Sequence, residues 1–217
     1  VDGEFNEWSP WYSNSLQDLE DSEIRRYAVQ ETAETWTVIN HLLALRKRIP
    51  STVEAIINGD GKLMADIGCG AGGSLLAYQA MGWKTVGVEP GKRAGDYARN
   101  TLKFDVKNGD YSESSFPPNS LDMIHSYHTV EHVPFPYDFI NLFYYHLRPG
   151  GILYIETPNV LDTAKSQLGF EHISLFSKRT FTQTIKSCGF IIIRILDRSK
   201  YPTHGIGVLA RKREDIG

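Results

Sequence analysis

The segment LMADIGCGAGG, Leu63 to Gly73, constrains the fold more than any other, because an apolar strand runs straight into a glycine-rich turn and then into a helix. A doubly wound parallel sheet makes that junction at the carboxyl edge of a strand, and it holds a nucleotide there. Glycines at 68, 70 and 72 let the backbone turn tightly and let a ligand lie almost on the main chain, in space that a larger residue at any of them would fill. The spacing leaves two readings open. Gly68, Gly70 and Gly73 also satisfy G-x-G-x-x-G, the dinucleotide fingerprint, and Glu89 follows at a distance that suits a ribose contact in either case.

Around this loop short apolar runs alternate with amphipathic stretches. Strands are expected at 63–67, 84–88, 104–106, 121–125 and 152–156, and helices at 73–81, 92–101 and 137–147. Ser177 can cap a further helix closed by Gly189, and the runs 190–196 and 206–210, joined through Pro202 and Gly205, read as a terminal hairpin. The expected fold is therefore α/β: a doubly wound, mostly parallel seven-stranded sheet with a C-terminal antiparallel hairpin and an N-terminal helical cap. In the cap, Ile24, Ala28, Trp36, Ile39 and Leu43 recur at helical spacing and predict one long helix from Ser22 to Arg48, stopped by Pro50. Ser51 and Glu54 predict a capping box for a short helix that ends at the turn Asn58-Gly59-Asp60-Gly61. Residues 1–21 read as an arm that packs through Trp8, Trp11 and Tyr12 over a pocket. The expected organisation is an arm and cap helices over 1–60 and a core over 61–217, in a single domain, since 217 residues with 41% hydrophobic content bury one substantial core.

Composition narrows the partners. With 23 basic against 26 acidic side chains and a net charge of -3, the chain lacks the cationic excess that grips nucleic acid through its phosphates. Cys69 and Cys188 make no disulfide framework and no paired-thiol metal spacing, which fits a reducing compartment. No apolar run approaches the roughly 20 residues that span a bilayer. The acidic, aromatic opening VDGEFNEWSPWY lacks the features of a signal peptide, so the cytoplasm is expected. An opening on Val1 rather than Met is compatible with a trimmed chain.

Asp66, two residues before the first glycine, separates the two readings of the loop. A carboxylate there can receive the cationic ammonium of a methionine moiety, but it would repel a pyrophosphate. The stretch D-I-G-C-G-A-G resembles the first motif of class I, Rossmann-like S-adenosylmethionine-dependent methyltransferases. V-G-V-E-P resembles their ribose-binding motif, and N-G-D-Y, Asn108 to Tyr111, their adenine-binding stretch. S-L-D-M-I-H-S-Y-H-T-V-E-H-V, L-R-P-G-G-I-L-Y-I-E-T-P-N and H-I-S-L-F-S-K-R-T-F with C-G-F are similar to the subgroup that includes the ubiquinone-pathway O-methyltransferases, and the likeness spans about residues 60 to 195. The resemblance implies that S-adenosyl-L-methionine is the cofactor and S-adenosyl-L-homocysteine the product. It implies that Glu89 bonds the ribose hydroxyls, that Asp110 bonds the adenine amino group with the Tyr111 backbone beside the ring, and that Asp66 and Gly68 serve the methionine end. Cys69, Gly70, Gly72, Pro90 and Ser126 are grouped with these cofactor contacts, Cys69 through its backbone, since no activating base for its thiol is evident.

Methyl transfer from a sulfonium needs positioning above all, whereas a hydroxyl acceptor must also lose its proton. His125, His128 and His132 follow the fourth predicted strand, and His172 lies in a loop on the same edge. His128, Glu131 and His132 have i, i+3, i+4 spacing and would share a face if Tyr127 to Val133 forms a helical turn. With His172 they resemble the E-x-x-E-H plus distant His arrangement of metal-dependent small-RNA 2'-O-methyltransferases, except that His128 stands where that family has Glu, which would suit zinc or a transition metal better than Mg2+. His132, His128, Glu131 and His172 are the candidate catalytic residues, as a metal-free base and substrate-binding set or as a divalent-metal site. Tyr127 could stack on an acceptor, whereas Tyr144 and Tyr145 read as core. The leading expectation is methylation of a hydroxyl on a small molecule or glycan. A metal-dependent nucleic-acid 2'-O-methyltransferase and a non-catalytic cofactor-binding partner are the alternatives, and an NAD-dependent oxidoreductase is disfavoured by Asp66 and the hairpin.

Overall fold

The computed structural model describes residues 21–161, 171–197 and 205–214. Trp8, Trp11 and Tyr12, and the hairpin connection at Pro202, lie outside these residues. Seven strands form one sheet: β1 (Leu63–Ile67), β2 (Lys84–Glu89), β3 (Asp105–Asn108), β4 (Leu121–Tyr127), β5 (Leu147–Pro158), β6 (Ile191–Asp197) and β7 (Gly205–Arg211). Their order is β3-β2-β1-β4-β5-β7-β6. β1 to β5 pair in parallel, and β7 runs antiparallel between β5 and β6. From β1 the chain winds outward to β2 and β3, then returns to lay β4 and β5 on the other side. The crevice of such a sheet opens where the order reverses, above the carboxyl ends of β1 and β4.

Because successive strand residues point to opposite faces, each strand feeds two cores. One face carries α1 (Asp21–Ala44), α2 (Pro50–Ile57), α3 (Gly73–Ala80) and α4 (Lys92–Asn100). There Val38, Leu42, Ile56, Leu75, Tyr78 and Ala98 pack on Met64, Met123, Tyr154 and Leu209. The other face carries α5 (Pro136–His146) and α6 (Lys178–Ser187), whose Phe139, Phe143, Phe181 and Ile185 pack on Ile67, Ile124, Leu153, Ile155 and Val208. Each such side chain, fully buried, contributes about 1.5–3 kcal/mol, so both layers are held chiefly by apolar burial. Ser177 caps α6 by accepting the Thr180 N–H at 3.2 Å, and Gly189 follows that helix with φ +92°.

Three local expectations are corrected. α1 ends at Ala44, a run of turns follows, and Pro50 opens α2 instead of only stopping α1. Proline suits a first helical position, where its missing N–H would have had no intrahelical partner. The Ser51–Glu54 capping box does not form, since Ser51 lies inside α2, whose N-cap is Ile49 with no side-chain cap. Finally, the buried face of α1 is Ile24, Ala28, Thr35, Val38, Ile39 and Leu42, whereas Trp36 and Leu43 are each 37% exposed. The face turns polar midway because it meets the start of α3: the Thr32 hydroxyl donates to the Gly73 carbonyl at 3.0 Å, and the hydroxyls of Thr35 and Ser74 lie 2.8 Å apart. Of the tyrosine pair, Tyr144 packs edge-on to Phe190 and Tyr145 is exposed. None of the described helices is long and apolar enough to cross a membrane.

Candidate functional site

β1 ends at Ile67, and the loop beyond it is pinned to β2: Gly68 N and Cys69 N both donate to the Val88 carbonyl, at 2.9 and 3.2 Å. Gly68 (φ +77°) and Gly70 (φ +52°) adopt left-handed conformations. A Cβ on Gly68 would strike the Thr129 side chain, and one on Gly70 would strike the Glu31 carboxylate, so both conformation and close approach require glycine. Gly72 departs from the expectation that a larger residue there would fill the ligand's place. Its Cβ would meet Ala98 and Phe104, at 3.1 and 3.4 Å, which makes it a packing position beneath α4.

Gly68, Pro90, Asp110, Tyr111, Thr129 and His132 line one cleft at this edge. Glu89, at the end of β2, is fully buried beside it and accepts the Gly70 N–H at 2.8 Å and the Gly91 N–H at 2.7 Å. Burial pushes its carboxyl up to about 7; the two amides oppose the rise and Asp66 adds to it. Asp66 is buried and paired with His125 Nδ1 at 2.9 Å. The His125 ring in turn stacks on Tyr154. Asp110 is exposed at the mouth of the cleft. The Tyr111 ring turns inward against Phe139 and Phe143, and its hydroxyl lies 2.5 Å from His146 Nδ1. Ser126 donates to the Ile67 carbonyl at 3.0 Å and so ties β4 to the end of β1. The Cys69 thiol faces the core, where a Cβ on Gly87 would meet it, and burial followed by the Glu89 charge pushes its pKa up. A buried thiol of that kind is inert.

The histidine cluster forms only in part. A single 3-10 turn spans Val130–His132, and His128 precedes it in a left-handed conformation (φ +50°), so the three residues do not share one helical face. His128 instead lies between two buried carboxylates, with Nδ1 3.4 Å from Glu131 Oε1 and Nε2 3.9 Å from Glu156 Oε1. Glu131, His132 and His172 do converge, each offering a ligand atom within 4.8 Å of the others. His172 is brought there by the segment after β5: Ser174 N donates to the Glu131 carbonyl at 2.9 Å and Ser174 Oγ to the Val133 carbonyl at 3.0 Å. Glu131 is 1% exposed and accepts the Thr157 hydroxyl at 3.1 Å; burial raises its carboxyl to about 8. His132 Nδ1 donates to the Glu171 carbonyl at 2.8 Å, which leaves Nε2 as the basic nitrogen. Burial lowers its pKa to about 4.

Sequence reasoning missed Glu31, Thr129 and Glu156. Thr129 and Glu156 carried no signal beyond their neighbourhood. Glu31 did, since it breaks the apolar stripe of α1 between Ala28 and Ile39.

The family described as "Methyltransferase domain" matches residues 41–195. The C-methyltransferase NovU of Streptomyces niveus is 24% identical over 183 residues, 80% of this chain and 42% of that protein. A ubiquinone biosynthesis O-methyltransferase of Nitrosococcus oceani is 30% identical over 105 residues, 46% of this chain and 44% of that protein. The chain thus spans about half the length of the curated relatives it matches. Among solved structures, a SAM-dependent methyltransferase from Archaeoglobus fulgidus superposes with a TM-score of 0.62 at 19% identity, covering 79% of this chain and 92% of that one.

Proposed function

The chain belongs to the methyltransferase-domain family, whose cofactor is S-adenosylmethionine, and from that premise we propose that it methylates a hydroxyl of a small molecule or glycan, with His132 as the base. The observation that carries this reading is the placement of His132 on the same cleft as Gly68, Pro90, Asp110 and Tyr111, with its Nδ1–H committed to a backbone carbonyl.

The residues present fit the cofactor. Gly68 and Gly70 turn the main chain through left-handed conformations beside the cleft, and Gly68 lines it without a side chain. Glu89 accepts two amides and, as a carboxylate with about four lone-pair sites, retains capacity for the ribose hydroxyls. Asp110 would take the adenine amino group with the Tyr111 main chain beside the ring, while Pro90 walls the cleft. Asp66 and Gly68 would face the methionine end, Cys69 and Gly70 would contribute backbone, and Gly72 and Ser126 would hold the loop in shape.

When bound, S-adenosylmethionine supplies a methyl group on a positively charged sulfur. An acceptor hydroxyl would attack that methyl group as the sulfur leaves neutral, and the part left to this chain's own residues is the proton, which His132 Nε2 would take. A pKa near 4 does not disqualify this base. The oxygen becomes oxonium-like as the bond forms, far more acidic than an imidazolium, so proton transfer runs downhill late in the step.

A second reading is favoured by the convergence of Glu131, His132 and His172: these residues could hold a divalent zinc or transition ion that polarises the acceptor oxygen. The Nδ1–H to carbonyl bond of His132 and the Thr157 bond to Glu131 are the kind of outer contacts that orient metal ligands. To test the acceptor, S-adenosylmethionine labelled with 13C in its methyl group would be incubated with the protein and separate small-metabolite, glycan and RNA fractions. Label on a small-molecule or glycan oxygen is expected; label confined to nitrogen, carbon or RNA ribose would sink the proposal.

A further inference from the structure

α1 sets a carboxylate on the glycine loop that lies outside the loop's own motif. Glu31 Oε2 accepts the Gly73 N–H at 3.1 Å, and Oε1 occupies the space where a Cβ on Gly70 would stand. The neighbouring contacts of Thr32 with the Gly73 carbonyl and of Thr35 with Ser74 fasten the same stretch of α1 to the start of α3. Glu31 is therefore held in place by three polar contacts along about one helical turn.

Two other carboxylates border the same loop, Asp66 two residues before Gly68 and Glu89 on the Gly70 amide. Glu31 is held well above the usual carboxylate range, first by burial, opposed by the Gly73 amide, and then by repulsion from Asp66 and Glu89. Three acids around one ligand bed favour a cation. The methionine end of S-adenosylmethionine brings two positive groups, ammonium and sulfonium, against one carboxylate. Asp66 is already engaged by His125, and the acceptor capacity that Glu89 retains beyond its two amides is assigned to the ribose. Glu31 Oε1, over Gly70, is the carboxylate oxygen best placed to meet the incoming charge.

We propose that Glu31 is a cofactor-positioning residue that receives the α-ammonium of the methionine moiety, so that α1 completes a cofactor site the sheet edge alone leaves open. The inference rests on S-adenosylmethionine being the cofactor, and its test separates the two. Glu31→Gln keeps an acceptor for the Gly73 amide and removes the charge. Calorimetry at pH 8 would give the affinities of the parent and the variant for S-adenosylhomocysteine, which has the ammonium, and for 5'-methylthioadenosine, which lacks the amino-acid part. Loss of a hydrogen bond to a charged group predicts about tenfold or more weaker S-adenosylhomocysteine binding, with methylthioadenosine within about twofold. An unchanged ratio of the two affinities overturns the proposal, whether both hold or both fall together. Should the glutamine variant not fold, Glu31→Asp, which withdraws the charge from Gly70, is expected to move the ratio the same way. A parent that binds neither ligand would overturn the cofactor assignment beneath the proposal.

Discussion

Cofactor affinity is expected to rise with pH through the neutral range, and Glu89 sets where. Its carboxyl is pushed up to about 7 by burial, against the opposing pull of the Gly91 and Gly70 amides and with a further rise from Asp66. A group at that value is ionised in roughly one molecule in ten at pH 6 and roughly nine in ten at pH 8. Ribose hydroxyls donate best to the anion, so binding at pH 6 must first drive a proton off. The Kd for S-adenosylhomocysteine should therefore fall about tenfold from pH 6 to pH 8, equivalent to about 1.4 kcal/mol. Binding at pH 6 should release close to one proton. The stability of the unliganded fold moves the other way. Because the folded pKa is raised, the Glu89 contribution is full below the ordinary value of 4.5 and is lost as pH rises through about 7. Stabilisation by the ligand should grow over the same interval. Calorimetry in two buffers of different ionisation enthalpy measures both affinity and proton release. A Kd that stays flat between pH 6 and 8, or an unaltered pH slope in Glu89→Gln, would refute the reasoning.

Four further outcomes are expected. His132→Ala should lower turnover about 10²- to 10⁴-fold while leaving S-adenosylhomocysteine affinity unchanged. In the parent, the neutral imidazole persists down to about pH 4, so the acid limb of the rate profile should fall there and not near 6.5; inactivation by EDTA with rescue by a divalent ion would favour the metal reading over the base. Asp110→Ala should weaken cofactor binding by about 1–3 kcal/mol in calorimetry with little change in Tm, because the residue is exposed. Lys212→Met should do the reverse. The buried ammonium donates to Asn119 Oδ1 and to the Tyr144 and Leu147 carbonyls, so its loss should cost about 3 kcal/mol in denaturant unfolding with cofactor affinity intact.

The alternation of apolar runs with amphipathic stretches was enough to place the sheet and its flanking helices, because strand burial and the glycine loop leave direct residue patterns. β3 was the weakest, since its one buried position, Val106, gives little periodicity. Helix ends were less legible: Pro50 starts a helix or stops one depending on the chain beyond it, and Ser51 caps only when it stands outside the first turn. In the site, the glycines and Glu89 stood out by spacing. The His132–Glu171 and Asp66–His125 pairings did not, because residues 39 and 59 positions apart meet only through sheet register and a returning loop. Glu31 did leave a signal, as a charge breaking the stripe of α1, but the partner it meets, Gly73, is 42 positions away and shows only once the helices pack.

Among the described residues, the buried carboxylates Asp66, Glu89, Glu131 and Glu156 stand at or just past the carboxyl ends of β1, β2, β4 and β5. The buried Lys212 follows the antiparallel β7 and so lies at the opposite edge. Folding therefore gathers carboxyls at the edge where a cationic ligand is to arrive, and burial raises two of them, Glu89 and Glu131, above the usual range. The cofactor then acts as a counter-ion as well as a donor. Saturation at a hundred times Kd adds about 2.7 kcal/mol to the folded state, comparable to a large core contact. How long a molecule survives proteases and heat is thereby tied to the supply of methyl donor, a dependence that limited proteolysis with and without S-adenosylhomocysteine would expose.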